Sequence, residues 1–287
     1  MVMGHMQRLR VMCCGGRGKL ALLMSQGWGG GGPAPRDCIA MMDRIVRRVA
    51  AAQVAVTPEG MHAKAQALSA VGECAAAAAL LQQAVGHGHL PSRADLADLL
   101  VDGKFDGRQG VTQDENRAFA LVKESTGCHH CQGVMASCYW GGLGCSKDAA
   151  RSISLARSSA AGGSKYGQRM LGVMYFKGEA GVAQDYAAAV EQYRLAAAQG
   201  YDRAQCDLGR MYSKGYGVAQ DHAEALRWIK LAAAQGLGAA SCIVGFYYEM
   251  GRGVAADKVE AIRWYKRAHS SGYSLASKYL IRLVSSK

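Results

Sequence analysis

Proline is scarce in this 287-residue chain, four residues in all, and β-branched runs are few, so neither a sheet-rich fold nor a series of broken helices is expected. No apolar run approaches the roughly 18–20 residues that a membrane-spanning helix needs, so a soluble chain is expected. HExxH and GxSxG are absent, and Gly15-Gly16-Arg17-Gly18-Lys19-Leu20 has neither the spacing nor the Ser or Thr of a phosphate loop. The eight histidines form no catalytic arrangement: His87 and His89 flank a loop glycine, and His222 and His269 are expected to be solvated. Enzyme is therefore the weakest reading, with no cofactor implied. Acidic residues are missing from the first 36 positions, where Arg8, Arg10, Arg17, Lys19 and Arg36 accompany a glycine run.

What the chain does have is repetition. Gly200 to Gly236 reads as two short helices around a glycine turn. Ala204, Leu208, Met211 and Tyr212 share the face of the first. Gly215 to Val218 form the turn, since glycine accepts the left-handed backbone that stops a helix. Asp221 with Glu224 three residues on is a capping pair for the second helix, whose stripe is Ala225, Trp228, Ile229, Ala232 and Ala233. A hairpin this small buries its apolar faces only by stacking on another. The pattern recurs in 237–272, with Val244-Gly245, Gly253-Val254, Asp257, Glu260 and Trp264. It recurs again in 164–200, with Leu171-Gly172, Asp185, Tyr193 and a turn one residue longer, and in 128–163, with Met135, Tyr139, Asp148 and Leu155. A degenerate copy occupies 91–127. Trp228, Trp264 and Tyr193 are expected to anchor one helix of each hairpin on the other.

The string LG-x-MY-x-x-G-x-GV-x-QD followed by AAAQG resembles the Sel1-like repeat, a subclass of tetratricopeptide-like helical repeats, from about Pro91 to Lys287. The first copy departs from it, with Asp98 and Leu99 near the usual small residue. The resemblance implies an all-α fold, a right-handed α/α solenoid of stacked helical hairpins, acting as a non-catalytic scaffold or adaptor with a superhelical groove. The expected organisation is a disordered basic tail over 1–36, with an organelle transit segment as the alternative, then a divergent helical cap over 37–90. Five repeats follow (91–127, 128–163, 164–200, 201–236, 237–272), and 273–287 forms a capping helix through Ala276, Leu280, Leu283 and Val284. Within 37–90, Ile39 to Val49 has helical spacing, Thr57-Pro58-Glu59 is a helix start, and Cys74 to Val85 resembles a second helix.

Three readings of function stay open. The resemblance places the first helices on the concave side, so His130, Trp140, Arg169, Phe176, Lys177, Arg203, Arg210, Lys214, Phe246, Tyr248, Lys278 and Arg282 would line a basic, aromatic groove. Such a groove suits an acidic or extended protein segment. Alternatively, the net charge of +12, concentrated toward the two ends, suits nucleic acid. The third reading is a zinc module at Cys128-His129-His130-Cys131. It lacks a matching second pair, because Cys138 and Cys145 fall at apolar packing positions; Cys206 and Cys242, one repeat apart, stand too far from each other for a disulfide. Without a paired-cysteine pattern the ten cysteines indicate a reducing compartment, cytoplasmic or nuclear.

Overall fold

The computed structural model describes residues 57–70, 72–102 and 111–285. The basic tail, the expected helix from Ile39 to Val49 and the glycines Gly103 and Gly110 lie outside these residues. Those described fall within one compact unit, Val54–Lys287, and form thirteen helices with no strand among them. These are α1 (Pro58–Ala70), α2 (Cys74–Gly86), α3 (Leu90–Asp102), α4 (Glu115–Val122), α5 (His129–Gly141), α6 (Ala149–Ala161), α7 (Lys165–Lys177), α8 (Tyr186–Ala198), α9 (Asp202–Lys214), α10 (His222–Ala234), α11 (Gly238–Met250), α12 (Lys258–Ser270) and α13 (Ala276–Ser285). Consecutive helices pair as hairpins from α1–α2 to α11–α12, and the second helix of each hairpin packs on the first helix of the next. The chain is thus an all-α solenoid of stacked hairpins. The lone α13 buries Ala276 and Leu283 with Cys242, Ala261, Tyr265 and Ala268, covering the end of the stack.

Each repeat closes through its aspartate. Asp114, Asp148, Asp185, Asp221 and Asp257 accept the backbone N–H of the third residue of the following helix, all at 2.9 Å. The backbone N–H groups of the same aspartates donate to the carbonyls of Leu100, Tyr139, Tyr175, Tyr212 and Tyr248, near the end of the preceding helix, at 2.9–3.0 Å. The glutamine of AAAQG ties neighbouring repeats: Gln199 Nε2 donates to Gly163 O (2.9 Å) and Gln168 Oε1 (2.7 Å), and Gln235 Nε2 to Gln205 Oε1 (2.9 Å).

Tyr193 is the anchor expected for its hairpin, whereas in the next two hairpins the anchor stands one position after the expected tryptophan. Tyr193 and Tyr265 are fully buried and Ile229 is 1 % exposed, whereas Trp228 and Trp264 are half-buried at the edge of the core. All three anchors stand eight residues after the capping aspartate, so the tryptophans, at seven, turn about 100° away on the helix. Their rings instead lie under Arg227 and Arg267, at 4.5 and 5.3 Å. The anchors also explain the glycine of the LG pair. A Cβ on Gly172 would stand 2.8 Å from the Tyr193 ring, one on Gly245 2.9 Å from Tyr265, and one on Gly209 2.5 Å from Ile229 Cγ1.

The two turn glycines have different tasks. Gly215 stops α9 in the left-handed conformation with φ +70°, and an added Cβ would meet Gln220 Cβ at 3.3 Å. Gly217 is also left-handed (φ +69°), but its Cβ would stand 2.4 Å from the carbonyl carbon of Tyr186, in the backbone that opens α8 of the preceding repeat. The longer turn after α7 takes its additional residue with Ala180 left-handed at φ 61°. Gly215→Ala is therefore expected to cost about 1–2 kcal/mol for the left-handed alanine. Gly217→Ala should lose that and a further ~1–3 kcal/mol for the backbone collision. Urea unfolding of the two variants reads the difference; equal losses would mean the turn yields at no cost.

Candidate functional site

The amino-terminal helices meet the middle of the solenoid through charged and polar groups. Asp95 of α3 receives the Tyr166 hydroxyl of α7 and Gln66 Nε2 of α1 (3.2 Å), with Lys165 Nζ at 3.7 Å and His62 Nε2 at 3.8 Å. One helical turn on, Asp98 accepts the Tyr201 hydroxyl at 2.9 Å and pairs with Arg203 Nη1 at 3.3 Å. Gln66, Asp95, Asp98, Lys165, Tyr166 and Tyr201, with Ser69, Leu81, Gln199, Asp202 and Gln235, line a cleft of about 270 Å³. At its edge the α1–α2 turn touches the end of α10: a Cβ added at Gly236 would stand 2.8 Å from Gly72 Cα. Ser92 Oγ joins two histidines, His62 Nδ1 at 3.1 Å and His89 Nδ1 at 2.7 Å, whose rings lie 4.9 Å apart.

The sequence-predicted groove residues divide into groups. His130, Arg169 and Arg203 are half-buried and paired within the stack. His130 Nδ1 lies 3.0 Å from Ser164 Oγ with its ring edge-on to Tyr166, and Arg203 is matched by Asp98. Arg169 Nε is 2.9 Å from Asp207, which also receives Arg210 Nη2 at 3.2 Å. A second group gathers at the carboxyl ends of the first helices. There Lys177 Nζ stands 5.2 Å over the Trp140 ring and the Arg210 guanidinium 5.3 Å over Phe176. Phe176 also meets Tyr186 (5.6 Å) and Tyr216 (6.0 Å), and these two tyrosines stack at 4.9 Å. Lys177, Arg210, Lys214 and Tyr216 are exposed and Trp140 and Phe176 half-buried.

The remaining members stand apart from these groups. Phe246 lies under Arg252 at 5.1 Å. Tyr248 faces the preceding repeat, accepting Lys230 Nζ at 2.8 Å. Arg282 pairs with Glu249, and Lys278 is exposed on α13. Sequence reasoning missed Asp95, Tyr201, Asp207, Tyr186 and Tyr216 as site residues. The one signal within reach was Asp98, an acid where the repeat pattern has a small residue.

The cysteines follow packing. Cys131 and Cys138 are fully buried, and Cys145 and Cys206 are half-buried; none of the described cysteines is in a disulfide. Among the described residues no three His, Cys, Asp or Glu side chains converge as metal ligands. No helix among them is long and apolar enough to cross a membrane. His222, expected to be solvated, is half-buried, its ring edge-on to Tyr247 at 6.2 Å.

Two groups at this junction, His62 and Asp95, carry a pH dependence. Burial lowers His62, partly offset by Asp95 and reinforced by His89, Lys165 and His130. Burial raises Asp95, but Lys165, the Tyr166 hydroxyl, His62 and Gln66 outweigh it and hold the carboxyl below its ordinary value. Both values are depressed in the folded state, so both groups stabilise above their unfolded values and lose that contribution as pH falls. His62 acts first, below its ordinary 6.5, and Asp95 below its ordinary 3.8. The melting temperature should fall from pH 7 to pH 5, and His62→Gln should flatten that fall, while Asp95→Asn should remove the more acidic limb and deepen the first by withdrawing the charge that offsets burial at His62. A His62→Gln chain with the wild-type fall would remove His62 from this account.

The Sel1 repeat profile matches five segments, 94–125, 130–164, 165–201, 202–237 and 238–273. Among solved structures, the chain is similar to a Sel1 repeat protein from Oxalobacter formigenes, at 27% identity and a TM-score of 0.53 over 76% of this chain and 87% of that one. It is also similar to c5321, a protective antigen present in uropathogenic Escherichia coli strains displaying an SLR fold, at 29% identity and a TM-score of 0.50 over 72% of this chain. The match covers 43% of the c5321 chain, so this chain spans less than half of that length. Comparison with curated proteins gives no match. Repeats of this kind are characteristically non-catalytic scaffolds for protein–protein contacts. With five consecutive matches over more than half of its residues, the chain belongs to the Sel1 repeat family, within the tetratricopeptide-like helical repeats.

Proposed function

We propose that this chain is a scaffold or adaptor that holds an acidic, extended segment of another protein against the cluster of Trp140, Phe176, Lys177, Arg210 and Tyr216. The observation that carries this reading is the alternation of cations and rings across successive repeats: Lys177 over Trp140, Arg210 over Phe176, and Tyr216 stacked on Tyr186. Rings held open in this way offer apolar contact area at little entropic cost, and exposed Lys177, Arg210 and Lys214 supply charge-assisted bonds to carboxylates. The half-buried cations support the site indirectly. Arg169 and Arg203 are matched by Asp207 and Asp98, so they hold the first helices in register. In this reading α1 and α2 cap the amino-terminal end of the solenoid.

The test is affinity capture from native lysate with the wild-type chain and with Lys177→Glu/Arg210→Glu. Both positions are exposed, and Asp207 keeps Arg169 when Arg210 is lost. The double variant should therefore unfold within about 1 kcal/mol of wild type, two exposed changes at up to ~0.5 kcal/mol each. Proteins retained by wild type and lost from the variant identify this cluster as the working surface. Identical partner sets move the function to another face, and partners lost together with added nuclease move it to nucleic acid.

A further inference from the structure

Cys128 and Cys131 are packed at the core as cysteines commonly are, yet their arrangement differs from that of the other thiols. Cys128 is the N-cap of α5, in extended conformation (φ −97°, ψ 112°), and Cys131 lies in the first turn of the same helix. A cap residue and the third helical residue are close neighbours, the relation by which Asp148 reaches Arg151 N at 2.9 Å in the next helix. Cys128 is half-exposed, and Cys131 is fully buried with its thiol 3.6 Å from the carbonyl of Leu90, in the helix that opens the preceding repeat. The Cys131 thiol proton faces that carbonyl.

The electrostatics of the pair agree with this division. The neighbouring Cys131 thiol holds the Cys128 thiol below its ordinary value, burial opposing it and the Cys131 and His130 amides and His130 itself assisting. Cys128 and burial push Cys131 up, although Ser125 and Arg93 work against them. By contrast burial raises Cys138, Cys145 and Cys242. Among the described residues no third metal ligand joins the pair. A half-exposed cysteine at the cap beside a buried one in the first turn is the arrangement of a nucleophilic and a resolving cysteine.

We propose that Cys128 and Cys131 form a thiol–disulfide exchange pair whose co-reactant is a small-molecule disulfide. The Cys128 thiolate attacks one sulfur of the disulfide, a mixed disulfide forms, and the sulfur–sulfur bond of the co-reactant breaks, releasing one thiolate. Cys131 then gives its proton to that thiolate and attacks Cys128 Sγ, closing the Cys128–Cys131 disulfide and expelling the second half of the co-reactant as a thiolate, which solvent protonates. Counted from the dithiol, the protein loses two protons and two electrons, and the disulfide takes them up to become two thiols. Closure also removes the Cys131 S–H that faces Leu90 O, so oxidation is written into the seam between the degenerate first repeat and the second.

The experiment uses the full chain with oxidised glutathione as the probe and peptide mapping as the readout. Wild type should yield the Cys128–Cys131 disulfide, Cys131→Ser should accumulate one glutathione on Cys128, and Cys128→Ser should yield neither. On folded wild-type protein, competitive alkylation at pH 6.5 should modify Cys128 at least about tenfold faster than the half-buried Cys145 and Cys206, and its rate should change little up to pH 8. This arm decides the matter if a variant fails to fold. Alkylation of Cys128 no faster than Cys145, or glutathione reacting elsewhere with no Cys128–Cys131 bond formed, would overturn the proposal.

Discussion

One short polar contact, an aspartate carboxylate on a backbone amide, is made five times and sets the geometry of everything else. Each capping aspartate holds the amide that opens a helix, and its own N–H closes on a carbonyl near the end of the helix before. The turn between the two helices is thereby fixed at both ends. Anchors eight residues on can then drop into the slot left by the LG glycine, and the second turn glycine can touch the preceding repeat. Replacing such a cap removes about 0.5–2 kcal/mol, a modest amount at one site. Its importance is positional, because each misplaced turn would be passed to the next repeat.

The surface follows from this frame. With the first helices held in register, Lys177 and Arg210 come to rest over the rings of Trp140 and Phe176. The deeper cations Arg169 and Arg203 meet Asp207 and Asp98 inside the stack. The positive charge seen in composition thus has two fates. Some of it is balanced within the fold, and the portion at the carboxyl ends of the first helices stays in contact with water.

Much of this was legible in the sequence because repeats encode nearest-neighbour relations. Helix starts, glycine turns and aspartate caps are local, and their spacing survives in every copy. Two kinds of information were not local. The first was register at single-residue resolution: a tryptophan is a more conspicuous core candidate than Ile229, and only the ring of Tyr193 or Tyr265 seated on a glycine shows which position faces inward. The second was contact across repeats. Nothing in spacing links Asp98 to Tyr201, 103 positions away, and Asp98 appeared only as a departure from the repeat pattern. Likewise the requirement for Gly217 was visible as turn chemistry, while its approach to the backbone at Tyr186 was not.

The contacts that skip repeats change the mechanical character of the molecule. A solenoid held only between neighbours behaves as a spring: each repeat adds a small compliance, and strain spreads evenly along the stack. Here Asp95 and Asp98 reach Tyr166 and Tyr201, and the turn at Gly72 rests against Gly236. The amino-terminal hairpins and the middle repeats are therefore linked in parallel with the chain that connects them. Any twist of the intervening hairpins has to break these lateral ties first, which leaves the segment from α1 to α10 stiff and concentrates the compliance of the solenoid in α11, α12 and α13.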